Sequence, residues 1–196
     1  MCIRDSTDYR YRAELRETLI DQPIPAGTTQ AYCMRFDVME LPDLYGPVTI
    51  FQRFNRDLDG PDISMELTGI NQFSDAVAND LQVVAFGSRN RIGDMLDGSN
   101  TLLVVVHNHA TDGSYKVVLN GRVLDEESGI DTIGSPDGGW VQFGLCPHGF
   151  YGTDRADRSK ADQIASGATD VRVEYFDFSL TDYPSGITDL SSFDVD

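Results

Sequence analysis

The segment Thr101 to Leu124, TLLVVVHNHATDGSYKVVLNGRVL, decides the fold class. Its apolar runs are short and rich in β-branched residues, which is typical of strands. The dipeptides Asp112-Gly113 and Asn120-Gly121 separate these runs, and both favour the positive φ angles of two-residue hairpin turns. The segment therefore predicts a three-stranded antiparallel meander.

Further runs with a period of two lie on both sides of this meander. Each is bounded by Gly, Pro, Asn or Asp. They are Thr29 to Leu41, Val48 to Arg56, Asp62 to Thr68, Leu81 to Phe86, Trp140 to Leu145 and Asp170 to Leu180. No apolar stripe has helical spacing, and Arg155 to Ala165 is expected to form at most one short turn. Eight or nine strands without helices predict an all-β, two-sheet antiparallel sandwich or jelly roll.

Composition and charge exclude several classes of partner. Of 196 residues, 40% are hydrophobic and 24% are charged, as in one ordinary soluble domain. The longest uninterrupted apolar run, Leu102 to Val106, is far shorter than the ~20 residues that a bilayer requires. The net charge of −17 argues against nucleic acid, which is held by cationic surfaces. We expect neither a membrane nor a nucleic-acid partner.

The charge is distributed unevenly along the chain. Residues 1–56 contain seven Arg and eight acids, whereas residues 57–196 contain eight basic residues and 24 acids. One interpretation is an acidic surface that aids solubility. The other is a positive strip on the Arg-bearing segment that binds an anionic ligand. The two are compatible.

The two ends of the chain are predicted to lie outside the folded domain. Residues 1–6, MCIRDS, have no periodicity and resemble the adapter-derived peptides that open metagenomic fragments, so we expect a non-native leader on an N-terminally truncated chain. Residues 7–183 form the predicted jelly-roll domain. Residues 184–196 are an acidic, Ser-rich tail or linker.

The cysteine and histidine spacing predicts no metal site. Beyond Cys2, the chain has Cys33 and Cys146, which are either a disulfide or two free thiols. His107 and His109 share a strand face, but no third ligand is evident. The Asp-rich turns at 57–62 and 94–100 suit Ca²⁺ only weakly, because turn chemistry explains them without an ion. We expect no cofactor.

The stretch Tyr11 to Glu17, YRAELRE, is the most informative for function. On a strand, Arg12, Glu14 and Arg16 share one face. They form either a ladder of surface salt bridges or a floor that binds a carboxylate, in which Glu14 orients the two guanidinium groups. The spacing alone leaves both alternatives open.

This Arg-x-Glu-Leu-Arg stretch resembles the N-terminal signature of the alginate lyases of polysaccharide lyase family seven and of the related glucuronan lyases and heparinase-like enzymes. Gln52 in FQRFN resembles the family's Gln-x-His strand. SYKVVLNGRVL (114–124), WVQFGLC (140–146) and the closing run Asp170 to Leu180 follow the family's strand order. The resemblance implies a concanavalin A-like β-jelly roll and a secreted or periplasmic, monomeric protein.

The resemblance also implies cleavage of a uronate polysaccharide by β-elimination. Arg16 and Gln52 would neutralise the sugar carboxylate so that a base can take the C5 proton, while an acid protonates the departing O4. The residues implied to bind substrate are Arg12, Glu14, Gln142, Phe54 and Arg53.

The sequence departs from the family at the proton-transfer positions. Phe54 stands at the family's His, Gln142 at its Lys and Cys146 at its Tyr. His148 and Tyr151, in the adjoining CPHGFYG, are the candidate replacements. The alternatives are a non-catalytic carbohydrate-binding module and a lectin-like β-sandwich.

Overall fold

The computed structural model describes residues 13–16, 26–40, 47–55, 61–69, 77, 79–93, 96, 98–133, 139–147 and 172–183. These residues form strands and their connecting turns. The strands are β1 (Ala13–Arg16), β2 (Thr29–Glu40), β3 (Val48–Asn55), β4 (Pro61–Leu67), β5 (Leu81–Ala85), β6 (Ser88–Gly93), β7 (Ser99–His107), β8 (Gly113–Leu119), β9 (Arg122–Ile130), β10 (Gly139–Pro147) and β11 (Arg172–Tyr183).

The strands form two antiparallel sheets. The six-stranded sheet has the order β1-β10-β3-β4-β5-β6, and the five-stranded sheet has the order β11-β2-β7-β8-β9. The crossovers between strands that are distant in sequence bring β1 and β3 to either side of β10. The predicted all-β jelly-roll architecture is confirmed.

The hydrophobic core lies between the two sheets. Alternation along β3, β4 and β5 turns Phe51, Met65 and Val83 inward, and each is 0–1% exposed. Tyr32 of β2 crosses the interface towards Phe51, with their ring centroids 6.2 Å apart. Burial of these side chains holds the sheets face to face.

One of the two predicted hairpin turns is confirmed. Asn120 and Gly121 have φ angles of 51° and 76° and join β8 to β9 by two residues. The other dipeptide does not form such a turn. Gly113 belongs to β8 and pairs with Ile130 of β9, and a Cβ on it would collide with the Thr132 hydroxyl.

The described residues form eleven strands against eight or nine predicted, because β6 was missed and the stretch Tyr11 to Glu17 was left out of that count. The β6 sequence SRNRIG lacks alternating apolar residues, since an edge strand needs to bury little of its surface. The expectations for residues 1–6, 155–165 and 184–196 fall outside the described residues, and the domain limits stay predictions. Cys33 is half-buried and does not form a disulfide among the described residues. In the described part of the chain, no helix is long and apolar enough to span a bilayer.

Candidate functional site

The outer face of the six-stranded sheet, on the side away from the core, carries polar side chains on its central strands. Because side chains alternate along a strand, the residues between the inward apolar ones point to this face. They are Thr49 and Gln52 on β3, Ser64 and Glu66 on β4, and Gln82 on β5. Amide, hydroxyl and carboxylate groups therefore lie side by side across three strands.

Hydrogen-bonded register places three of the predicted site residues in one row. Arg16 of β1 pairs with Gln142 of β10, and Gln142 pairs with Gln52 of β3. At a strand spacing of about 4.8 Å, the Cα atoms of Arg16 and Gln52 are about 10 Å apart. Thirty-five intervening residues of chain separate these positions in the sequence. The row continues through Ser64, Val84 and Arg89.

A second row runs beside the first and consists of the neighbouring outward-facing positions on these strands. It contains Cys146, Thr49, Glu66, Gln82 and Arg91. The Glu66 carboxylate accepts hydrogen bonds from Ser64 Oγ at 2.9 Å and from Gln82 Nε2 at 2.7 Å. These bonds hold the carboxylate in one orientation beside the first row.

Solvent reaches the outer face unevenly. Gln52, Ser64 and Gln82 are at most 2% exposed, whereas Glu66 and Phe54 are half-buried. Gln52 is thus a buried amide. A sugar carboxylate can contact it only by reaching below the solvent-exposed surface of this face. Such buried polar groups are strong hydrogen-bonding sites, because little water competes for them.

Arg53 lies inside the sandwich, although we expected it to bind substrate. Its side chain is 1% exposed and forms a 2.5 Å ion pair with Asp62 Oδ2. A second nitrogen donates to Asn108 Oδ1 at 2.9 Å, so the guanidinium ties the six-stranded sheet to the end of β7. We therefore assign Arg53 a structural role, and it has no place in the candidate site.

A β-bulge explains this arrangement. Ile63 pairs with Arg53 and Pro61 pairs with Phe54, which leaves Asp62 as the extra residue on β4. Burial raises the pKa of Asp62 to about 6, because desolvation outweighs the attraction of the Arg53 guanidinium. Burial alone would lower the pKa of Arg53, but the attraction of Asp62 and Tyr32 raises it, so the guanidinium stays charged.

The remaining predicted residues are placed only in part. Glu14 pairs with Gly144, and Phe54 pairs with Trp140 and Pro61, which puts two aromatic residues in a row next to Gln52. Arg12, His148 and Tyr151 lie outside the described residues. Pro147, directly before His148, pairs with Val48 at the end of the sheet next to the Cys146–Arg91 row.

Six polar residues of this face were not singled out from the sequence: Thr49, Ser64, Glu66, Gln82, Arg89 and Arg91. The polar positions of DISMELT alternate with apolar ones and could have indicated Ser64 and Glu66. Nothing in SRNRIG indicated which face Arg89 and Arg91 occupy, since that strand has no apolar alternation.

His107 and His109 have local structural partners. His107 Nδ1 lies 3.0 Å from Thr29 Oγ1. His109 Nδ1 accepts a hydrogen bond from the backbone N–H of Asp112 at 2.9 Å and closes the β7–β8 loop. Among the described residues, no cluster of three or more His, Cys, Asp or Glu side chains is arranged to hold a metal ion.

No protein-family model and no curated protein matches the sequence. Solved structures do match the fold. A polysaccharide lyase of family 18 is similar with a TM-score of 0.57 and 20% identity over 90% of this chain and 81% of its own. An alginate lyase from Alteromonas sp. 272 gives 0.55 and 20%, over 93% and 82% of the two chains.

An endo-β-1,4-glucuronan lyase from the fungus Trichoderma reesei has a TM-score of 0.56 and 13% identity, over 87% of this chain and 74% of its own. At such identities the likeness concerns the fold alone. The resemblance drawn from the sequence is confirmed at that level: this chain has the β-jelly-roll fold of the alginate and glucuronan lyases.

Proposed function

We propose that the protein is a polysaccharide lyase that cleaves a uronate-containing polysaccharide of the alginate or glucuronan type by β-elimination. The observation that carries this proposal is the row Arg16–Gln142–Gln52, in which three strands with distant sequence positions are brought into register. The similar fold of alginate and glucuronan lyases supports the same conclusion.

The chemistry requires neutralisation of the sugar carboxylate. The C5 proton lies next to that carboxylate, whose negative charge opposes the build-up of further charge when the proton leaves. A guanidinium and an amide that are already in place stabilise the developing dianion without reorganisation. We assign this task to Arg16 and Gln52, with Arg12, Glu14 and Gln142 as supporting residues.

Two proton transfers complete the reaction. A base takes the C5 proton, the electron pair forms the C4–C5 double bond, and the C4–O4 bond breaks as an acid protonates O4. We assign these transfers to His148 and Tyr151, which follow β10 in the chain. Phe54, which is half-buried and pairs with Trp140 of β10, provides an aromatic ring next to the row for a sugar ring.

A non-catalytic carbohydrate-binding module is the second candidate. The observation in its favour is that Phe54 and Cys146 occupy the positions where the resemblance calls for proton-transferring side chains. Such a module would retain the carboxylate-binding row and bind the polymer without cleaving it.

A lyase assay on alginate, glucuronan and other uronate polymers tests the proposal, because the unsaturated product absorbs in the ultraviolet. We expect absorbance to rise on one of these polymers and Arg16→Ala to abolish the rise. Arg35→Ala is the matched control, since Arg35 is an exposed arginine on the five-stranded sheet. Retained binding to a polymer gel without any rise in absorbance would favour the binding module. Neither binding nor cleavage by the folded protein would contradict both.

A further inference from the structure

The outer face of the six-stranded sheet ends at an edge strand with two exposed arginines. Arg89 and Arg91 of β6 pair with Val84 and Gln82 of β5. These β5 residues pair in turn with Ser64 and Glu66, which lie on the outer face. The two arginines therefore continue the two polar rows to the far edge of the sheet.

The neighbours of the arginines on β6 confirm which way they point. Asn90 Nδ2 donates to the carbonyl oxygen of Leu124 on β9 at 3.0 Å, so Asn90 faces the five-stranded sheet. Ile92 packs against the core. Because side chains alternate along a strand, Arg89 and Arg91 face the opposite side. The bond to β9 also holds the edge strand in this orientation.

We propose that Arg89 and Arg91 form an anion-binding subsite for the carboxylates of a uronate chain that lies across the outer face from β1 to β6. The proposal rests on the proposed function, because it extends the Arg16–Gln52 row. A guanidinium binds a carboxylate through two parallel hydrogen bonds, which suits a polymer with one carboxylate on each uronate.

The spacing makes this a subsite for long chains. Five strand spacings of about 4.8 Å separate Arg16 from Arg89, or about 24 Å across the sheet. A uronate disaccharide cannot contact both ends, whereas a longer oligosaccharide can. The arginines also stand out in charge, since residues 57–196 contain 24 acids and only eight basic residues.

Titration calorimetry with uronate oligosaccharides of increasing length tests the subsite on the full chain. We expect Arg89→Gln/Arg91→Gln to bind a disaccharide as the wild type does and to bind long oligosaccharides about tenfold more weakly, with a shallower dependence on salt. The lysine pair Arg89→Lys/Arg91→Lys should recover part of the affinity, because it retains the charge but not the bidentate geometry.

Arg35→Gln/Arg122→Gln removes two exposed arginines from the five-stranded sheet and is the matched control. An equal loss of affinity in this control would overturn the subsite, because it would show an effect of overall charge. Wild-type affinity of Arg89→Gln/Arg91→Gln for long oligosaccharides would also overturn the subsite, if the binding of these oligosaccharides still depends on Arg16. Failure of the wild type to bind any length would overturn the proposed function together with the subsite. Melting temperatures close to that of the wild type confirm folding.

Discussion

Arg53 of β3 and Asp62 of β4 form an ion pair inside the sandwich, with 2.5 Å between Nη1 and Oδ2 and both side chains at most 2% exposed. Asp62 reaches this position because it is the extra residue of a β-bulge. Asn108 connects this ion pair to the second sheet. Its Oδ1 accepts a hydrogen bond from Arg53, and its amide nitrogen donates to the carbonyl oxygen of Thr28 at 3.1 Å. The pair thus joins the two sheets at one end of the core.

Asp62→Ala is expected to lower the free energy of unfolding by about 3–5 kcal/mol, because it leaves the buried guanidinium of Arg53 without its carboxylate. Denaturant unfolding measures the change. Glu126→Ala, at an exposed position of β9, is the control and should alter stability by no more than about 0.5 kcal/mol. Equal effects of the two substitutions would contradict the structural role of the pair.

The pH dependence of stability follows from the raised pKa of Asp62, about 6 in the folded protein against about 3.9 for an ordinary Asp. The folded state binds this proton more tightly than the unfolded chain does. Protonation of Asp62 therefore adds about 3 kcal/mol to stability below about pH 4, and this added stability is lost as the pH rises through about 6.

Asp62→Asn removes this titration. Between pH 4 and pH 7 the free energy of unfolding of the wild type should fall by about 3 kcal/mol relative to that of Asp62→Asn, when both are measured in denaturant at each pH. A constant difference across this range would show that Asp62 has the same pKa in the folded and unfolded chain.

The turn between β8 and β9 provides a test of local backbone chemistry. Gly121 has a φ of 76°, where a side chain is strained, so Gly121→Ala should destabilise the protein by about 1 kcal/mol. Gly121→Asn is the control, because Asn tolerates positive φ better than Ala. Thermal unfolding should rank the wild type first, Asn second and Ala third; Ala equal to Asn would argue against the assigned turn.

Gln52→Glu tests the carboxylate-binding row, because it places a negative charge where the sugar carboxylate needs neutralisation. We expect kcat/KM on the cleaved polymer to fall about 10²–10³-fold. Thr49→Val alters a buried polar residue on the same face of β3 and should leave kcat/KM within a few-fold of the wild type. An active Gln52→Glu variant would remove Gln52 from the mechanism.

His148→Ala and Tyr151→Phe test the proton transfers. If these residues carry the base and the acid, each variant should lower kcat about 10²–10⁴-fold with little change in KM. His109→Ala, in the loop between β7 and β8, is the control. Full activity of both variants in a protein that cleaves the polymer would refute this assignment.

The sequence by itself determined the fold class and most strands. Alternation of apolar and polar residues indicates which positions of one strand share a face, and β2 begins at Thr29 and β3 at Val48 as that alternation predicts. Asn120-Gly121 likewise predicted its turn, because the φ angles that it favours are properties of those two residues.

Only the tertiary structure decided which strands are neighbours and where the irregularities lie. The register of Arg16 with Gln52 depends on β10, which comes from a distant part of the chain and pairs with both. The bulge at Asp62 turns its carboxylate towards Arg53 and makes that arginine an interior residue. Local periodicity cannot predict either, because sheet order and bulges depend on how the whole sheet closes over its core.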